Sequence, residues 1–122
     1  MKSVHFAYAV FLILLTTVLI NSLTIGRIMN SIENEVSLAE ENDMERAEKE
    51  YTEIYDKYQK FELYISLSVD HDDLSDIESS FAEIIGAARA EDKGSVITIK
   101  SRLCDHLRHI RRLSGINLHS IF

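Results

Sequence analysis

Proline and tryptophan are missing from this chain, cysteine occurs once, at Cys104, and glycine stands only at positions 26, 86, 94 and 115. Without proline, no residue both removes a backbone donor and clashes with the preceding turn, so nothing forbids long helices. The single cysteine excludes an internal disulfide and a four-cysteine zinc site. It also stands far from the apolar run, after which a lipidated cysteine would lie. Charge is missing from one segment altogether. From Val4 to Ile25, VHFAYAVFLILLTTVLINSLTI, there is no Asp, Glu, Lys or Arg.

A helix crosses the hydrocarbon core with roughly 20 apolar residues at about 1.5 Å each, and this run suffices. A secretory signal has a shorter apolar region, about 7 to 15 residues, and then a small-residue cleavage site. Ile20-Asn21-Ser22 fits such a site poorly, so an uncleaved anchor over residues 1–26 is the expectation. Residues 4–25 would then contact membrane lipid. Basic residues near the ends of a span set its orientation, and acids count little. Lys2 and the α-amine on one side, against Arg27 alone before a run of acids on the other, favour a cytoplasmic N-terminus at the cell membrane, with residues 27–122 extracytoplasmic.

What is present beyond the anchor is helical in composition and in period, rich in Glu, Ala, Lys, Arg, Leu and Ile. Ile25, Ile28, Ile32, Val36 and Ala39 recur at spacings of three and four, so the anchor helix should continue to about Glu41. A second run is heptad-like: Met44, Ala47, Tyr51, Ile54, Tyr58, Phe61 and Ile65. Asn42 and Glu45 have the form of a capping box at its start. A third seam is Leu74, Ile77, Phe81, Ile84 and Ala88. The fourth is Val96, Ile99, Leu103, His106, Ile110 and Leu113. Gly94 is read as a left-handed helix end before a new start at Ser95, and Gly115 as the stop of the last helix. The tail would dock back through Ile116, Leu118, Ile121 and Phe122.

Each run has one apolar side and cannot bury it alone. The expected class is therefore all-α: an N-terminal transmembrane helix, then over residues 27–122 an antiparallel helical bundle or two stacked helical hairpins. The stretches AEENDMERA (39–47) and ARAEDKGSV (88–96) echo one another as helix end, acidic turn and new helix.

Charge is sorted along the chain. Residues 33–56 hold ten acids against Arg46 and Lys49, whereas residues 93–112 hold six bases against Asp105 alone. Exposed faces of this kind attract each other across a bundle, at about 0 to 1 kcal/mol per pair. The alternative is a basic face, Arg102, Arg108, Arg111 and Arg112, that meets anionic lipid or an acidic partner. Nucleic acid is not expected, because the net charge is −7 and no aromatic residues interleave the basic run.

The stretch DHDDLSDIE (70–78) packs five carboxylates and a histidine into nine residues. Acids at a helix N-terminus satisfy free backbone N–H groups and the dipole, so a plain helix start is the first reading, capped by Asp72 or Asp73. A calcium loop would need a glycine at its turn and a distal bidentate Glu, and has neither. His71, Asp72, Asp73 and Asp76 are thus only weak candidates for a metal, and no cofactor is expected. His106 is read as a seam histidine bonded to an acid of the second helix. His109 sits three residues on, but zinc would need further ligands. The aromatic stretch Tyr51, Tyr55, Tyr58, Phe61 and Tyr64 is read as core packing, with a ligand groove as the alternative. With no glycine-rich phosphate loop, Ser-His-Asp set or activated cysteine, an enzyme is not expected.

The layout resembles a bacterial family known as domain of unknown function 4363, small membrane-anchored helical proteins. The resemblance rests on the apolar N-terminal helix, on LAEENDMERAEKEYTEIYDKYQK, on VDHDDLSDIESSFAEI and on the ending INLHSIF. His71, Asp72, Asp73, Ile77 and Glu78 fit the family's histidine, acids and isoleucine-acid step. The family's tryptophan in the second helix is missing, with Tyr58 or Phe61 in its place. The resemblance implies an anchored helical domain and carries no assigned reaction. The expected function is therefore that of a single-pass, non-enzymatic interaction or structural subunit. Its partner would be another membrane or surface protein, or a second copy. The alternative is an extracytoplasmic ligand- or cation-sensing bundle.

Overall fold

A computed structural model describes residues 2–121, and side chains through residue 114. Four helices follow one another: α1 (Lys2–Leu38), α2 (Met44–Ser66), α3 (His71–Arg89) and α4 (Lys93–Ile121). The short connections make successive helices antiparallel. Contact runs α1 to α4, α4 to α3, α3 to α2, and most sparsely α2 to α1. That order closes a four-helix bundle. Two stacked hairpins would have made α1–α2 a principal interface, and it is the thinnest.

The seams of α2 and α3 are as their spacing indicates. Met44, Ala47, Tyr51, Ile54, Tyr58 and Ile65 are buried on α2, and Leu74, Ile77, Phe81, Ile84 and Ala88 on α3. Phe61 is half-buried against this core. On α1 the buried set is Ser22, Ile25, Met29, Ile32 and Val36, so Met29 takes the place expected for Ile28, which packs at the edge. The helix ends at Leu38, short of Glu41.

The fourth seam is turned about the helix axis. Val96, Lys100, Leu103, Leu107, Ile110 and Ser114 face inward, whereas His106 is half-buried and Leu113 exposed. Spacings 4-3-4-3-4 and 3-4-3-4-3 share Val96, Leu103 and Ile110, so either face fits the period. Lys100 decides in favour of the first, because its ammonium has partners at the end of α1. Ser114 lines the same cavity as the buried Ser22 of α1.

Further helix boundaries differ from expectation. Asp43, not Asn42, caps α2, accepting from the Arg46 N–H at 3.2 Å. Between α3 and α4 the left-handed residue is Glu91, φ 57°, not Gly94. Glu91 N–H donates to the Ala88 carbonyl and Asp92 N–H to that of Ala87, the paired bonds of a Schellman motif. Asp92 then caps α4, accepting from Ser95 N–H at 3.1 Å and from its hydroxyl at 2.6 Å. Gly115 does not stop α4, which runs to Ile121. A glycine costs a helix interior only about 1 kcal/mol unless it adopts the left-handed turn. The expected docking of Ile116, Leu118, Ile121 and Phe122 falls on side chains outside the described residues.

Candidate interaction surfaces

Among the described residues the first half of α1 is largely exposed, with Leu15 and Leu19 part-buried. The apolar span within Lys2–Leu38 is unburied, and Phe6, Phe11, Ile13 and Ile20 each expose more than half of their surface. From Ser22 onward the same helix supplies core residues. One unbroken helix is thus long and apolar enough to cross a membrane at one end and is a bundle stave at the other.

The acidic stretch opens α3. Asp70, rather than Asp72 or Asp73, is the cap, its carboxylate accepting from the Asp72 N–H at 3.1 Å. Asp72 and Asp73 occupy the first turn, where the free N–H groups and dipole favour them. His71, Asp72 and Asp76 are exposed and Asp73 half-buried. The His109 Nε2 stands 3.8 Å from Asp73 Oδ1, beyond hydrogen-bond range. Among the described residues no three His, Cys, Asp or Glu side chains converge to hold a metal ion. His106 is half-buried rather than on the seam, which Leu107 occupies.

The basic residues of α4 meet acids of their own bundle. Arg108 donates to Glu33 Oε1 from Nε and Nη2, at 3.2 and 3.1 Å, and to Asp105. Arg111 lies 3.0 Å from the other oxygen of Glu33 and donates to Asn30. Glu33 is therefore a little-exposed carboxylate held between two guanidinium groups of the neighbouring helix. Arg102 pairs with Glu83 of α3. Arg112 is exposed.

Sequence reasoning passed over Lys100. Its ammonium, nearly out of water, donates to the Ala39 carbonyl at 3.1 Å and to Glu41 Oε1 at 2.8 Å. It closes the end of α1, where carbonyls lack helical partners and the dipole favours a cation. The bond from Lys100 holds the Glu41 carboxyl below its ordinary range. Glu40 is lowered too, by the backbone N–H groups of Asn42 and Asp43. Asn42 accepts from Lys93 at 2.8 Å, so the α1–α2 and α3–α4 turns are tied together at one end of the bundle. An acidic turn beside a buried lysine was the only available signal, and a lysine is not ordinarily read as core.

The aromatic stretch is core at Tyr51 and Tyr58, half-buried at Tyr55 and Phe61, and exposed at Tyr64. Tyr51 and Tyr58 are fully buried, and Tyr55 stacks on Phe81 with ring centroids 5.1 Å apart. Both buried hydroxyls lack a hydrogen-bond partner, and burial pushes their pKa well above the ordinary tyrosine value.

Fold and surface together define a class: an antiparallel four-helix bundle whose first stave extends beyond the core as a bare apolar helix. Within that class, residues 16–121 match the family described as Domain of unknown function (DUF4363), and the chain belongs to it. No curated protein and no solved structure matches the chain.

Proposed function

We propose that this is a single-pass, membrane-anchored helical protein whose bundle works by binding, as an interaction or structural subunit, rather than by catalysing a reaction. The observation that carries this reading is the continuity of α1, apolar and bare over its first half and core from Ser22 onward. A flexible tether would let the bundle range freely. A continuous helix fixes its height and tilt over the bilayer, which suits a protein that meets another component of the same membrane. In this proposal the N-terminus is cytoplasmic and the bundle extracytoplasmic.

Mild crosslinking in cells, followed by solubilisation, tests the binding role. A stoichiometric partner or a self-assembled species is the expected result, and a clean monomer overturns it. Orientation is read separately with a cysteine at exposed Glu45 in a Cys104→Ser background. A membrane-impermeant maleimide should label it on intact cells; labelling only after lysis reverses the topology.

A further inference from the structure

Taking α1 as membrane-spanning, as proposed above, we infer that the bundle does not stand clear of the bilayer. The end of the bundle from which the span leaves is itself seated in the lipid headgroup layer, through Leu63 of α2, Leu67 at its C-cap and the turn that follows. The depth follows from one hydrogen bond. Asn21 donates its side-chain amide to the Ser68 hydroxyl, so the α2–α3 turn lies level with Asn21. A hydrocarbon core of about 30 Å entered at Val4 takes roughly 20 helical residues and ends near Leu23. The turn therefore reaches the depth of the span's last turn, and its side chains meet lipid rather than bulk water.

The surface there is of the kind that depth requires. Leu63 and Leu67, one helical turn apart, expose 79% and 78% of their area. Exposed Lys60 stands one turn further from the bilayer on α2. Along α1 the order repeats, with Arg27 exposed, then Leu23, then Ile20. A basic group above an apolar one is the arrangement of an interfacial helix, the cation reaching headgroups while the apolar residue enters the acyl boundary. Leu113, which the turned seam of α4 leaves exposed, lies at the same end, lining a cleft with Asn21 and Ser68. Asp70 and Asp72 are exposed at the start of α3, which limits immersion to the headgroup level. Of the remaining large apolar side chains exposed on the bundle, among the described residues, Leu38 and Ile97 sit toward the opposite end.

The test uses the full chain in vesicles of phosphatidylcholine and phosphatidylglycerol. In a Cys104→Ser background, cysteines at Leu63, Leu67, Glu53 and Phe11 carry an environment-sensitive nitrobenzoxadiazole label. Lipids bearing a spin quencher near the headgroup, or at mid-chain, report depth. Leu63 and Leu67 labels should be quenched severalfold more by the shallow lipid than the Glu53 label, about 15 to 20 Å further along the chain by helical rise. The Phe11 label should respond to the mid-chain quencher. Quenching at Phe11, with Leu63 and Leu67 no different from Glu53, overturns the seating and leaves the anchor standing. No quenching at Phe11 overturns the anchor itself. Blue-shifted but unquenched Leu63 and Leu67 labels mean that a second protein copy covers the patch, which also overturns the inference.

Discussion

Glu91 and Glu62 each hold a conformation or charge state that another residue would hold more cheaply. Glu91 has the only positive φ among the described non-glycine residues, where a side chain costs roughly 1 kcal/mol and glycine costs little. Glu91→Gly should stabilise the bundle by about 0.5–1 kcal/mol, seen as a higher Tm in detergent solution. Glu62 faces Glu78 across the α2–α3 interface. A hydrogen bond between the two carboxyls, with some burial, raises the Glu62 pKa above its ordinary 4.5. A raised folded pKa contributes stability below the unfolded value and loses it as pH rises through the folded one. Replacing Glu62 with glutamine should thus raise Tm at neutral pH and change it little near about pH 4. An equal effect at both values would show that the two carboxyls do not interact. These choices were hard to read in the sequence for a physical reason. Asn42 or Asp43, and Gly94 or Asp92, are comparably good turn and cap residues. Which one serves depends on where the neighbouring helix places the chain, as Lys93 does by engaging Asn42.

At the level of helices, apolar spacing located every element, because each needed a seam and little else competed. It misplaced the face of α4 since the choice there was polar: a buried lysine and a buried serine instead of Ile99 and Leu113. Lys100 reaches the end of α1 from 61 positions along the chain, a pairing no local pattern reveals. Removing it leaves the Ala39 carbonyl buried and unpaired, while half-exposed Glu41 turns to water. Lys100→Met should therefore cost about 1–3 kcal/mol. It should also speed amide exchange in the last turn of α1 while leaving α3 protected. Uniformly faster exchange would mean that Lys100 serves general packing instead. Glu41 supplies a pH signature of the same contact. Its lowered pKa adds stability above the unfolded value that is lost as pH falls through the folded one, so the closure of α1 weakens in acid.

Across the whole molecule, the apolar stretch and the bundle overlap by about one turn of α1. Among the described residues the most apolar window of the helix has no buried residue, and the core begins at Ser22 and Ile25. The apolar stretch was legible because a run from Val4 to Ile25 without Asp, Glu, Lys or Arg admits few other uses. The end proposed to meet lipid was not, because Leu113 is far in sequence from Leu63 and Leu67 and only the closed ring of helices gathers them. A chain beginning at Asn21 keeps every core residue, so it should remain helical and melt cooperatively near the temperature of the full protein. With the anchor gone, its exposed leucines should still draw it to vesicles, more weakly than the intact chain. Replacing Leu63 and Leu67 by serine should abolish that residual binding without lowering Tm, because both side chains already face outward. Loss of cooperative melting in the shortened chain would mean instead that the apolar first half of α1 stabilises the bundle, although its described residues are largely exposed.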